Sequence, residues 1–370
     1  MEADFLIIGA GIAGASAGFE LSRQGRVVML EREDQPGYHS TGRSAALFTE
    51  AYGNATIRAL SRASRFFLTT PPAGFASAPL LTPRGVVTIA GADRHAAFAA
   101  ALAELSEVSD TIEEIDVARA VALFPPLDPT YVRYAHYEPD AMDMDVHAIH
   151  QGFLKGMRAR GGVLATAVRI EAIEPGWRVR AGTTTYTAPV LVNAAGAWAD
   201  EVAARAGIAP IGLVPKRRTA LLFDPPAGAA IAAWPLAIDI DESCYVKPDA
   251  GRLLLSPADE TPSPPTDAQP EELDVALAIE RLARFTRLRV ARVSHKWAGL
   301  RSFVADKTLV AGEAPGAPGF FWCAGQGGYG IQTSPAMGRI VAALVARRPI
   351  PSDIADQGVT ATALDPARFA

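Results

Sequence analysis

The chain predicts an α/β protein of two domains, and three observations carry that prediction. The N-terminus reads strand–turn–helix–strand: an apolar run at 5–8, a small-residue-rich segment at 12–24 closed by Gly25, and an apolar run at 26–31. Turns of small residues that lead from a strand into a helix recur near positions 193 and 325. Between them lie sheet-like segments of another kind, and 370 residues exceed what one typical core accommodates.

Composition narrows the class. A hydrophobic fraction of 49% with 20% charged residues predicts a folded globular chain. The net charge of −5 is spread along the sequence, so no basic block suits nucleic acid. Cys244 and Cys323 cannot build a disulfide framework, and a reduced, cytoplasmic setting is expected. Glu2 and Asp4 precede the first apolar run, unlike a signal peptide, and no stretch reaches the ~18 apolar residues of a membrane span.

Along the chain, 54–68, 93–105, 145–160, 271–285 and 331–347 predict helices, the third with Asp145 as its N-cap. Strands are expected at 85–90, 165–173, 177–180, 190–193, 219–223, 237–240, 244–247, 308–311 and 320–324. The proline-rich stretch 257–270 reads as a solvent-exposed loop. These placements imply a discontinuous nucleotide-binding domain (1–80, 141–212 and 300–370). A second, mixed-sheet α+β domain for substrate (81–140 and 213–299) is threaded through it.

Gly9-Ala10-Gly11-Ile12-Ala13-Gly14 is a G-x-G-x-x-G that follows a strand and opens a helix. The first glycine allows a tight turn, the second a close approach to a pyrophosphate, and the third close helix–strand packing. Glu31 ends the second strand, placed to accept a bond from a ribose hydroxyl. Glu31 would repel the 2′-phosphate of NADP, so Arg32 is expected at the surface. The opening is therefore Rossmann-like, which alone does not separate FAD from NAD.

Three later segments favour FAD. Asn193–Trp198 again ends a strand in small residues, offering Ala195, Gly196 and Trp198, with Val168 beside them. Gly325–Gly330 precedes a helix, so Gly327, Gly328, Tyr329, Gly330, Ile331 and Gln332 would place amide donors and a positive helix end near a flavin that gains charge on reduction. Tyr38–Ala46 is rich in hydrogen-bonding groups; Thr41, Gly42, Ser44 and Ala45 would follow the cofactor, and Arg43 would pair with a phosphate. His39 lies in that stretch as an unfavoured covalent attachment point. His147 and His150 lack a third ligand, so no metal is expected.

On these stretches, with Pro215–Arg218, Asp241–Pro248, Trp297–Val304 and Gln326–Ser334, the sequence resembles the FAD-dependent D-amino-acid oxidase / glycine oxidase superfamily, most closely bacterial D-amino-acid dehydrogenases of the D-arginine type. The resemblance implies non-covalent FAD. It also implies deamination of a D-amino acid through an imino acid, with substrate contacts at Tyr52, Arg218, Tyr245 and Arg301. Two departures bear on the substrate side chain. Leu47 stands where such relatives carry a histidine, and Arg84–Thr88 lacks the acid expected to meet a basic side chain.

Chemistry supports the same residues. A carboxylate is best met by a guanidinium, whose two N–H groups match two oxygens, and Arg301 precedes the last cofactor segment. Arg217 and Arg218 would point to opposite sides of a strand, with Arg218 entering the site on the resemblance. The expected reaction is hydride transfer from Cα to flavin N5, followed by hydrolysis to a 2-oxo acid and ammonia. Other amines, such as glycine or an N-methyl amino acid, and 2-hydroxy acids are alternative donors. The electron acceptor is left open among oxygen, a quinone or another carrier.

Overall fold

The computed structural model describes residues 1–369 and forms a mixed α/β architecture around two main sheets. The first has six strands, ordered Val310–Glu313, Phe320–Ala324, Val190–Asn193, Phe5–Ile8, Val27–Leu30 and Val163–Ala165. All neighbours are parallel except the first pair. Its central strands are unbroken runs of apolar residues because both faces are covered. On one face lie the helices Ile12–Leu21, Ala55–Thr69, Val146–Ala159 and Gly330–Val345, sharing one core. On the other face, a small antiparallel sheet presents Ile173, Val179 and Tyr186 to Leu6, Ile8, Val28 and Leu30.

The helices begin where polar side chains can cap them. Asn54 Oδ1 accepts from Ile57 N at 3.1 Å, and Asp145 Oδ1 accepts from Ala148 N at 2.8 Å. Stretch 165–173 is not the one strand expected. Val163–Ala165 ends in the six-stranded sheet, Ala167 takes a left-handed φ of 56°, and Val168 N bonds to Glu31 O at 2.8 Å. The chain thereby crosses to the other layer, where Ala172–Glu174 begins the small sheet.

The second main sheet is nine-stranded and mixed, with Val86–Ala90 parallel to Leu236–Asp239 and its other pairs antiparallel. One face packs Val87, Ile89, Val246 and Leu255 against the helices Val117–Leu123 and Glu272–Phe285. The opposite face turns Val86, Leu236, Tyr245 and Leu254 toward Ala45 and Leu47. Its longest strand, Val293–Phe303, pairs with Val214–Phe223 along nearly its whole length and runs through position 300 without a break.

Loop 257–270 is less free than its composition suggests. Thr261–Pro262 pairs with Lys216 and Arg217, Asp259 Oδ1 accepts from Thr219 N, and Ala268 is buried. Polar anchors and one buried alanine hold down a segment whose prolines read as exposed.

Candidate active site

The register of the parallel sheet explains why segments far apart in sequence meet. Asn193 pairs with Ile8 on one side and Trp322 on the other, near the carboxyl ends of three adjacent strands. The Gly9 turn, the 194–198 turn and the 325–330 turn therefore emerge on one edge, where open α/β sheets bind ligands.

They line a cleft with Gly9, Gly11, Ile12, Ala13, Glu31, Arg32, Thr41, Val168, Ala195, Gly196, Trp198 and Gly327. The glycines fit a dinucleotide. Gly9 has φ +99°, and a Cβ there would sit 2.4 Å from the Ala194 carbonyl oxygen. A Cβ on Gly14 would lie 1.9 Å from the Gly9 oxygen, so that glycine serves helix–strand packing behind the cleft. Gly11 meets only Thr41 Oγ1, at 3.3 Å, leaving room for a phosphate to approach.

Glu31 faces the same cleft while tying its walls. Its Oε2 accepts from Ala10 N at 2.8 Å and its Oε1 from Glu33 N at 3.0 Å. A carboxylate keeps further lone pairs for a ribose hydroxyl. The exposed Arg32 lies 4.2 Å over the Trp198 ring and pairs with Glu33. His39, also on the wall, bonds Glu33 through Nε2 at 2.9 Å.

A second cavity shares Ile12, Ser40, Thr41, Leu300, Gln326 and Gly327 with the first and ends at Arg218, Tyr245 and Arg301. Arg43, Ser44, Ala45, Gly328, Gly330 and Ile331 also belong to its wall. An extended cofactor with a phosphate-rich half in the first cavity and a ring system in the second matches this shape and its donors.

Arg301 lies at the inner end of this cavity. No carboxylate lies within 4 Å of its guanidinium among the described residues, unlike most arginines of the chain. Tyr52, Tyr245 and Tyr329 stand close by. Burial opposes its charge, but these three hydroxyls outweigh burial and hold its pKa above the ordinary value. A Cβ on Gly328 would come within 2.9 Å of Arg301 Nη1, so the glycine makes room for the guanidinium.

Arg217 and Arg218 do diverge. Arg217 leaves the site to pair with Asp274 at 2.9 Å and with Glu271. Arg218 enters the cavity with its Nε donating to the Asp259 carbonyl at 2.9 Å. Glu242, on the turn before Tyr245, faces both Arg218 and Arg301.

Arg43 lies on the wall of the inner cavity, but its guanidinium is engaged: it donates to the Ala268 and Ala298 carbonyls at 2.8 and 2.9 Å and pairs with Asp267, tying the 257–270 loop down. Other expected cofactor residues are placed elsewhere. Gly42 N closes a turn onto Gly37 O at 2.7 Å. Tyr329 is buried behind Arg301 with its ring 4.9 Å from that of Tyr52, and Gln332 is buried with its amide bonded to Thr49. Tyr52 reaches the site through Arg301. Ala220 and Gly299, which the sequence reading did not single out, line the inner cavity because their strands pair.

A family model described as "FAD dependent oxidoreductase" (DAO) matches residues 4–344. The glycine oxidase of Geobacillus kaustophilus is 24% identical over 96% of this chain and 96% of that protein. Among solved structures, L-proline dehydrogenase from P. horikoshii superposes with a TM-score of 0.81 at 20% identity, covering 100% of this chain and 98% of that one. The FAD-bound L-α-glycerophosphate oxidase of Mycoplasma pneumoniae gives 0.83 at 15%, covering 94% and 95%. With a glycine cradle and a ring-sized inner cavity that fit FAD, and a family match over most of its length, the chain belongs to the DAO family of FAD-dependent oxidoreductases.

Proposed function

We propose that the protein oxidises the α-amine of an amino acid, by resemblance a D-amino acid, to an imino acid that hydrolyses to a 2-oxo acid and ammonia. The observation that carries this reading is Arg301, a cation in the inner cavity with no carboxylate of its own. A guanidinium so placed matches a ligand carboxylate through two N–H groups. The Tyr245 hydroxyl is a neighbouring donor, and Arg218 adds positive charge from the adjacent strand.

FAD, when bound, accepts the hydride that leaves Cα. The protein's part is orientation: the clamp on the carboxylate fixes Cα, and the amine must lose its proton before its lone pair assists. No side chain is assigned as the base, and water serves as the proton acceptor.

The wall beside Tyr245 supports a neutral, apolar substrate side chain. Ala45 and Ala220 line the cavity there, and Leu47, Val86, Leu236, Ile238 and Leu254 pack in the apolar cluster behind them. Asp143, which pairs with Leu47 in a small sheet, is already bridged by Lys247 at 2.7 Å and Arg84 at 2.6 Å. It has no charge to spare for a basic side chain.

The test is anaerobic bleaching of the flavin by D- and L-amino acids, N-methyl glycine and 2-hydroxy acids. Bleaching by aliphatic D-amino acids ahead of D-arginine supports the reading. Bleaching by 2-hydroxy acids alone transfers the clamp to an alcohol donor, and bleaching by L-amino acids alone removes the D preference.

A further inference from the structure

The turn that carries Tyr52 is held from outside the cavity by one carboxyl group. Thr49 Oγ1 accepts the Ala51 N–H at 3.0 Å, so the hydroxyl's own proton is directed to Glu138 Oε1, 2.5 Å away. The backbone of Thr49 is fixed independently: its N–H donates to Gln332 Oε1 at 3.3 Å and its carbonyl accepts from Gln332 Nε2 at 3.2 Å. One residue beyond Ala51, Tyr52 packs on Tyr329 and stands beside Arg301. Glu138 itself ends the strand Tyr134–Glu138 and belongs to neither cavity wall.

We propose that Glu138 is a positioning residue for carboxylate binding, acting through Thr49 to set the 49–52 turn that presents the Tyr52 hydroxyl to Arg301. The proposal rests on the carboxylate-clamp reading of Arg301. Its geometry is a chain of contacts, Glu138 to Thr49 to Ala51 to Tyr52 to Arg301, with no carboxylate contact to substrate required.

The surroundings of Glu138 give the contact a pH dependence. Burial pushes its pKa up to about 7, against the Thr49 hydrogen bond, with Asp140 and Glu50 adding to the rise. Arg65 opposes them from the helix Ala55–Thr69, but its Nε is bonded to Glu50 at 2.6 Å. The neighbouring strand Val86–Ala90 offers only Val86 opposite Glu138, and the strand on the other side places Glu113 opposite Tyr137. Where release of the turn admits water to the carboxyl, the effect of burial is relieved and its pKa falls toward the ordinary 4.5. The ordered turn therefore binds the proton more tightly than the released one. It is favoured in full below pH 4.5 and loses ground as pH rises to about 7, above which the penalty is constant.

Glu138→Gln keeps an acceptor for Thr49 and removes the charge; Glu138→Ala and Thr49→Val break the contact from its two sides. The probe is 2-methylpropanoate, a carboxylate without an amine, titrated into the FAD-loaded protein while flavin absorbance reports Kd. The ligand's own ionisation cancels in the ratio of wild-type to Gln-variant Kd. That ratio is expected to climb at least about threefold from pH 5 to 7 and then level off. At pH 6, Glu138→Ala and Thr49→Val should each weaken binding, and the double variant no further. FAD content and melting temperature report whether each variant is folded. A constant ratio across pH 5–8 overturns the proposal, as does a folded Glu138→Ala protein that binds like the wild type. A wild-type spectrum unmoved by the carboxylate removes the clamp reading itself, and the role of Glu138 with it.

Discussion

At the scale of single residues, Arg301 and Arg43 show how differently two arginines near one site are used. Arg301 has hydroxyl neighbours and no carboxylate within 4 Å among the described residues, so its charge is available to a ligand. Truncating one partner of a buried, hydrogen-bonded charge pair costs about 2–5 kcal/mol. Arg301→Met is expected to lower kcat/KM for the amino acid by roughly 30-fold or more, chiefly through KM, with FAD retained. Unchanged steady-state kinetics would remove Arg301 from the clamp. Arg43 spends its donors on the Ala268 and Ala298 carbonyls and on Asp267. A sequence motif names the residue type that a phosphate would want, but whether the donors are already taken depends on a loop more than 200 positions away. His136 was equally illegible. It is buried beside Phe98 with Nδ1 unpartnered, and burial lowers its pKa to about 4. Its folded value lies below its unfolded one, so its neutral form contributes stability above pH 6.5 that is lost as pH falls toward 4. Chemical denaturation at pH 7 and pH 4.5 should show a smaller acid loss in His136→Phe than in the wild type.

At the scale of elements, Asp143 joins a small sheet to the large one. It pairs with Leu47 and Thr82 through its backbone and holds Lys247 and Arg84 through its carboxylate. Lys247 is 4% exposed, so loss of the carboxylate would strand a buried charge. Asp143→Asn is expected to destabilise the fold by about 3–5 kcal/mol, read from urea denaturation midpoints. A cost under about 1 kcal/mol would show that Lys247 finds water or another partner. The first strand, the glycine turn and the helix after it were legible because their signal is local: an apolar run, a G-x-G-x-x-G and a run of small residues. The strand Val293–Phe303 was not, because its polar and small residues, among them Ser294, Lys296, Ala298 and Gly299, show no clean alternation. Its strand character comes from pairing with Val214–Phe223, which no window of sequence contains.

At the scale of the molecule, the cofactor cleft is roofed by segments from both sheets: Gly9 and Ala195 on one side, Leu300 and Ser302 on the other. A ligand that binds only the folded chain stabilises it by mass action, about 2.7 kcal/mol at a concentration 100-fold above Kd. Removing FAD should therefore lower the melting temperature, and adding it back should restore the loss in a concentration-dependent way. Equal melting curves with and without FAD would mean that the cleft does not bind it. The meeting of three turns at the carboxyl edge of one sheet was readable as three separate motifs. Their convergence required the strand order, which places Phe320–Ala324 beside Val190–Asn193 and leaves the N-terminal strand in the middle.

The unbroken run of Val293–Phe303 past position 300 also bears on how the gene can change. Consecutive residues of this strand serve different rooms: Ser302 faces the outer cleft, Arg301 the inner cavity, and Leu300 both. Side chains on a strand alternate, so inserting or deleting one codon between 293 and 300 would turn the guanidinium to the wrong side unless a bulge absorbed the slip. One such irregularity already exists at the far end, beside Leu222 and Phe223. Length changes should accumulate there and in exposed turns such as 226–230, and be absent from 296–301, where the reading frame of the strand is the address of Arg301.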